Sequence, residues 1–232
     1  LRDVWKKSEI TLSSFHPEED QFIKREYNVN IIPAASNKLW KRFSRDWVVR
    51  QLYNYTCNRD RALELEYSPI LPYLKKADAV ISVGGDNYTL DYSGLPYFLR
   101  LNKLVKQFGK KLVIWGASIG PFPPDDRLRD TLEALKIADL ITVRESRSFE
   151  YLKSVGIGEN IKFVSDPAFI LPIMNSLPID SLIQNIRGDI LGFNISPILE
   201  RYADGAKNDI IVKQSILFLR NIINEMKLHV LL

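Results

Sequence analysis

Two apolar runs that stop abruptly in small and polar residues constrain this chain most. They are Ile81-Ser82-Val83-Gly84-Gly85-Asp86-Asn87-Tyr88 and Leu112-Val113-Ile114-Trp115-Gly116-Ala117-Ser118-Ile119-Gly120-Pro121. A buried parallel strand has this form where it emerges at the carboxyl edge of a sheet. Open α/β sheets bind their ligands outside those strand ends. Glycine there lets the backbone approach a ligand with no Cβ in the way. The two runs therefore predict both a fold class and the rim at which chemistry takes place.

Strand-like segments recur along the chain, at 10–15, 29–32, 79–83, 112–115, 140–143, 161–164, 190–194 and 228–232. Most are rich in Val and Ile and do not alternate, which predicts a sheet covered on both faces. Amphipathic segments lie between them, at 96–108, 127–138, 146–155 and 209–226. Phe98, Leu101, Leu104, Val105 and Phe108 share one helical face in the first, and Leu128, Leu132, Leu135 and Ala138 in the second. Gly156 reads as the C-cap of the third. In the last, Ile211, Ile216, Leu219, Ile223 and Met226 are expected to face inward. Strand–helix alternation of this kind predicts an α/β fold, a doubly wound, Rossmann-like parallel sheet with right-handed crossovers.

Pro167, Pro172 and Pro178 interrupt the pattern, and Asp189-Ile190-Leu191-Gly192-Phe193-Asn194-Ile195-Ser196-Pro197 restarts it. The expected organisation is a first domain over 1–166, a linker over 167–188 and the opening of a second domain of the same type over 189–232. A length of 232 residues suits one domain and part of another. Two such domains facing across a cleft form a glycosyltransferase-B-like plan, here with the second incomplete. The chain starts at Leu1 and ends in a strand-like run at Leu232, so it is expected to be an internal piece of a longer protein.

Composition narrows the function classes. A hydrophobic share of 46% excludes a disordered chain. The single cysteine, Cys57, excludes an internal disulfide and a Cys-based zinc cluster, and fits a reducing, cytoplasmic setting. No apolar run approaches the ~20 residues of a membrane span, and no secretory signal is visible. A net charge of +4 is too modest an excess to argue for nucleic acid. Segment 38–51 reads as a helix with Lys38, Lys41, Arg42 and Arg45 on one face and Leu39, Phe43 and Trp47 on another. That face is either simply solvated or a peripheral contact to an anionic membrane. His16 and His229 form no metal-ligand set, and neither a P-loop nor G-x-G-x-x-G is present.

Several strand-end residues could carry chemistry. Gly84 and Gly85 suit a tight turn, and Asp86 beside them could bind sugar hydroxyls, act as a base, or cap the next turn. Gly116, Ser118 and Gly120 fit the G-x-S-x-G pattern of a hydrolase elbow, with Asp166 and His229 following in hydrolase order. However, Pro121-Phe122-Pro123-Pro124 cannot continue the helix such an elbow needs. These residues are expected to shape a ligand-binding loop instead, and His229 to be a buried structural histidine. Arg144 offers a rigid cationic fork for a phosphate or carboxylate, or else pairs with Glu145 or Asp166 to fix a loop. Asp166 could orient Arg144 or line the cleft.

Four of these stretches, taken in order, resemble the polysaccharide pyruvyl transferase family. They are Ile81 to Tyr88, Trp115-Gly116-Ala117-Ser118-Ile119-Gly120-Pro121-Phe122, Ile141-Thr142-Val143-Arg144-Glu145-Ser146 and Val164-Ser165-Asp166-Pro167-Ala168-Phe169. Gly192-Phe193-Asn194-Ile195-Ser196-Pro197 is similar to the opening of that family's second domain. The resemblance runs from about Ala77 to Pro197. It implies a transferase that moves a pyruvyl group from phosphoenolpyruvate to a glycan sugar as a ketal, with phosphoenolpyruvate as co-substrate and no other cofactor. It implies that Arg144 contacts phosphoenolpyruvate and that the acceptor sugar lies near Asp86, these two being the expected catalytic residues. Gly84, Gly85, Asn87, Gly116, Ser118, Gly120, Glu145 and Asp166 are the further expected substrate-binding residues. Two parts of the family pattern fall outside the chain: an opening strand with an Asn/Gly-rich loop before Leu1, and a Pro-His motif after Leu232. His229 does not stand in for that motif, so part of the catalytic machinery is expected to be missing. The competing readings are a nucleotide-sugar-dependent glycosyltransferase, a serine hydrolase and a non-catalytic glycan-binding protein.

Overall fold

The computed structural model describes residues 7–35, 47–49, 51–52, 64–91, 94–171, 183–184, 186–196, 199, 209–227 and 229–231. Lys38, Lys41, Arg42 and Arg45 of the expected basic helix, together with Cys57, lie outside the described residues. The chain divides into two compact units, Leu1–Phe169 and Ile170–Leu232.

The first unit is an α/β layer structure of the Rossmann-like, doubly wound class. Its centre is a four-stranded parallel sheet of β3 (Ala79–Tyr88), β4 (Lys111–Ile119), β5 (Leu140–Val143) and β6 (Ile161–Phe163), in that order. A parallel pair needs a crossover. Here α3 (Leu95–Gln107) joins β3 to β4, α4 (Leu128–Lys136) joins β4 to β5, and α5 (Ser146–Ser154) joins β5 to β6. Ahead of them lie a separate parallel pair, β1 (Thr11–Ser14) and β2 (Asn30–Pro33), with α1 (Gln21–Tyr27) between, and then α2 (Leu71–Lys76).

The crossover helices form where apolar residues recur at helical spacing. Leu104 and Val105 of α3 and Ala134 and Leu135 of α4 are buried, as are Leu112, Ile114 and Ile119 of β4 and Ile141 and Val143 of β5. Gly109, at φ 66°, ends the α3 segment in the left-handed conformation that favours glycine. Within this core, Tyr88 Oη lies 3.0 Å from Asn102 Oδ1 and 2.9 Å from Ser82 Oγ. Burial pushes that phenol up to about 12, against the pull of the two hydrogen bonds. Aromatic packing fastens the β1–β2 pair to α3. The Phe15 ring meets Tyr97 edge-on at 5.0 Å, and Tyr97 Oη donates to the Ala34 carbonyl at 2.7 Å.

Two strands are longer than their apolar runs predict. β3 continues past Val83 to Tyr88, and β4 past Trp115 to Ile119, pairing Gly85 with Ala117 and Tyr88 with Ile119 across a bulge. The glycines are thus inside the ladder and not in turns after it. A Cβ built on Gly84 would stand 2.1 Å from the Gly116 carbonyl oxygen, so only glycine fits this approach of β3 to β4.

The second unit contains β7 (Ile190–Gly192), α6 (Asp209–Met226) and β8 (His229–Leu231), with β7 and β8 parallel. The bounds of α6 agree with the sequence pattern, but its facing does not. Ile211, Ser215, Leu219 and Ile222 are its more covered positions, while Ile216, Ile223 and Met226 are exposed. The described part of this unit offers only a two-stranded sheet to pack against, which covers a narrow stripe. His229 is likewise exposed, not buried, with Nε2 3.1 Å from the Arg187 carbonyl oxygen. Its strand belongs to that small sheet. Among the described residues no helix is long and apolar enough to cross a membrane.

Candidate functional site

The parallel sheet delivers four separated residues to one rim. Asp86 comes from the bulged end of β3, Ser118 from the end of β4, Arg144 from the residue after β5, and Asp166 from the loop after β6. Arg144 is the hub. Its Nη1 donates to Asp166 Oδ2 at 2.8 Å, its Nη2 to Asp86 Oδ1 at 3.0 Å, and its Nε to Ser118 Oγ at 3.1 Å. Ser118 in turn donates to Glu145 Oε1 at 2.8 Å. Glu145 stands at the N-cap of α5 but spends its carboxylate on Ser118, 3.9 Å from Arg144 Nε, and makes no side-chain cap.

Each group is held from behind. The Ala168 N–H reaches Asp166 Oδ1 at 2.9 Å inside the 3₁₀ turn Pro167–Ile170. That N–H, aided by Arg144 against partial desolvation, holds the Asp166 carboxyl below the ordinary carboxylate range. The Gly116 N–H donates to Thr142 Oγ1 at 2.7 Å, and the Ile119 N–H to Ser148 Oγ at 2.9 Å, so β4 is fixed against β5 and α5.

The site glycines turn out to serve packing. Beside the Gly84–Gly116 approach, a Cβ on Gly116 would lie 2.6 Å from the Pro167 ring, and one on Gly120 2.5 Å from the Tyr151 ring. The chain itself occupies the space that a close ligand was expected to use. Gly85 differs: its φ of 76° requires glycine, and its Cβ position is open. Asn87 turns back on its own strand, with Nδ2 donating to the Val83 and Gly84 carbonyls at 3.0 and 3.1 Å.

Ser118 does not present the free hydroxyl that a hydrolase needs. Ser118 is 5% exposed and lies within a strand, with its hydroxyl committed to Glu145 and Arg144. Asp166 answers Arg144, and His229 answers a backbone carbonyl. Among the described residues no group of His, Cys, Asp and Glu could hold a metal ion.

A hollow of ≈ 700 Å³ opens beside the hub, lined by Arg144, Glu145, Phe163, Val164, Ser165, Asp166 and Phe169. Its volume suits a small-molecule site, for which ~300–1,000 Å³ is usual. Phe163, Val164, Ser165 and Phe169 are the lining residues to which sequence reasoning gave no role. Phe163 ends β6 as an apolar side chain at the rim, and Phe169 lies in the 3₁₀ turn beyond it. A second hollow runs along α4 between Pro124 and Lys136, where Arg129 pairs with Glu133 and Asp125 with Arg127. No chemistry converges there. At the rim three carboxylates surround one guanidinium, which leaves a local excess of negative charge.

A family model described as polysaccharide pyruvyl transferase matches residues 1–231. No curated protein and no solved structure gives a significant match.

Proposed function

Because the chain belongs to the polysaccharide pyruvyl transferase family, we propose that it moves a pyruvyl group from phosphoenolpyruvate onto two hydroxyls of one sugar, in a polysaccharide or its glycan precursor. The observation that carries this reading is the convergence of Asp86, Ser118 and Asp166 on Arg144 from four neighbouring strand ends.

Arg144 is the proposed donor-side cation. A guanidinium has five N–H donors. Ser118, Asp166 and Asp86 take one from each nitrogen, so Nη1 and Nη2 each keep one for a carboxylate or phosphate oxygen. Charge-assisted bonds to a planar fork orient such an anion as well as bind it. Asp86, at the outer end of β3, accepts the proton of the attacking sugar hydroxyl. The hydroxyl oxygen bonds to C2 of phosphoenolpyruvate while C3 takes a proton from a general acid and becomes a methyl group, and the proton held by Asp86 passes on to restore that acid. A second hydroxyl of the same sugar then bonds to C2, the C2–O bond to phosphate breaks, and its proton leaves with the phosphate. Sugar and phosphoenolpyruvate thereby give a cyclic ketal and inorganic phosphate, in balance. Glu145 holds Ser118 and Asp166 holds Arg144 through one carboxylate oxygen each.

The test is incubation of the protein with phosphoenolpyruvate and a panel of glycans, with mass spectrometry of the glycan and assay of phosphate. One phosphate released per ketal formed is the expected result. Glycan modification that needs a nucleotide sugar and ignores phosphoenolpyruvate would replace this reading with glycosyl transfer.

A further inference from the structure

Two phenylalanines at the mouth of the Arg144 hollow are held in the open. Phe169 is 86% exposed and Phe163 56% exposed. Neither dangles. The Phe163 ring packs on Phe149 at 6.0 Å, and Lys153 Nζ lies 4.4 Å above that second ring. Phe169 sits in a turn closed by Asp166, whose carbonyl accepts the Phe169 N–H at 3.0 Å and whose Oδ1 accepts the Ala168 N–H. The same turn is seated on β4, where the Pro167 ring lies over Gly116. One ring packed on its neighbour and a second carried on a fixed turn, beside convergent polar groups, are the composition of a ligand-binding wall.

The chemistry of the hollow selects its occupant. Its polar lining is Glu145, Ser165 and Asp166 around one arginine, which also pairs with Asp86. An excess of carboxylate repels a second anion and accepts hydroxyl hydrogens. A sugar ring matches both halves of the wall, having an apolar C–H face for the rings and hydroxyls for the carboxylates. We propose that Phe163 and Phe169 form the acceptor platform, stacking a neutral pyranose ring whose hydroxyls are taken by Glu145 and Asp166. The word acceptor rests on the pyruvyl-transfer reading, whereas the sugar platform rests on the hollow alone.

The experiment has two arms, both on the whole chain. In the first, saturation-transfer NMR with a panel of methyl glycopyranosides, without phosphoenolpyruvate, reports whether sugar C–H groups touch the protein. Transfer to at least one glycoside is expected, with loss in Phe163→Ala/Phe169→Ala and recovery in Phe169→Tyr. In the second, ketal formation is followed against acceptor and phosphoenolpyruvate concentrations. The double variant is expected to raise the acceptor KM about tenfold or more, with the phosphoenolpyruvate KM unchanged. A circular-dichroism melt shows that the variants fold. No transfer from any glycoside, or transfer and acceptor KM unchanged by the double substitution, overturns the platform. Phenylalanine-dependent transfer without any ketal formation keeps the platform and removes the pyruvyl-transfer reading.

Discussion

At Arg144 a single side chain answers an aspartate on either hand and a serine at its elbow, and geometry decides what can replace it. A lysine keeps the charge but is a point donor on a flexible stem. It cannot reach Ser118, Asp86 and Asp166 together as the guanidinium does at 2.8–3.1 Å. Arg144→Lys is therefore expected to lower kcat/KM about 100-fold or more in the phosphate-release assay, the usual scale for losing a fixed electrostatic donor. Fold should survive, since Arg144 is partly exposed at the rim and contributes nothing to the apolar core. A variant with near-native kcat/KM would mean that Arg144 only braces the loop.

At the scale of the elements, the rim is a product of how closely β3 and β4 run. Gly84 faces a backbone oxygen that has nowhere to move, because the Gly116 N–H is itself bonded to Thr142. Gly84→Ala is expected to cost about 3 kcal/mol, as overpacking in a tight site does. Gly85→Ala meets open space and carries only the left-handed backbone penalty of about 1–2 kcal/mol. Denaturant melts of the two variants test that order, and equal losses would contradict it. The same pair explains what was legible in the sequence. The apolar runs at 79–83 and 112–115 located the strands, and the strand-end rule placed Asp86, Ser118, Arg144 and Asp166 together. The last five residues of β3 stayed hidden because glycine is ordinarily punctuation, and here it serves close strand approach. Phe163 stayed hidden for the opposite reason, since an apolar residue at the end of a strand reads as core, and Phe169 stood in a quoted stretch without being assigned a role. In α6 the helix was plain but its inward face was not, because facing depends on what a neighbouring sheet covers.

At the scale of the molecule, the two units differ in how well they are buried. Every fully buried hydrophobic side chain among the described residues lies in Leu1–Phe169. In the other unit the sheet is three residues long on each strand, and apolar residues such as Ile216, Leu217 and Phe218 are exposed. Short two-stranded sheets are marginal alone. Hydrogen exchange should therefore be slow in β4 and β5 and fast in β7 and β8, and comparable protection would refute the difference. Acid acts on the first unit through three aspartates, of which Asp125 is lowered chiefly by the Arg127 N–H. Asp139 is held well below the usual carboxylate range, despite partial desolvation, by Lys106, Lys111 and the Leu112 N–H. Asp166 is lowered as well, chiefly by the Ala168 N–H. A carboxylate with a depressed native pKa favours folding above its unfolded pKa of about 3.9, and that contribution is lost as pH falls through the native value. The melting temperature should hold from neutral pH to about pH 5 and fall below it, with Asp139→Asn flattening the fall. An unchanged slope in that variant would assign the acid loss elsewhere. The seating of Pro167 over Gly116 carries one more consequence. A methyl group added at Gly116 would act as a wedge under the proline and lever the following turn, and Asp166 with it, off the guanidinium. One uncharged carbon could thus dismantle a charge network without altering any of its members.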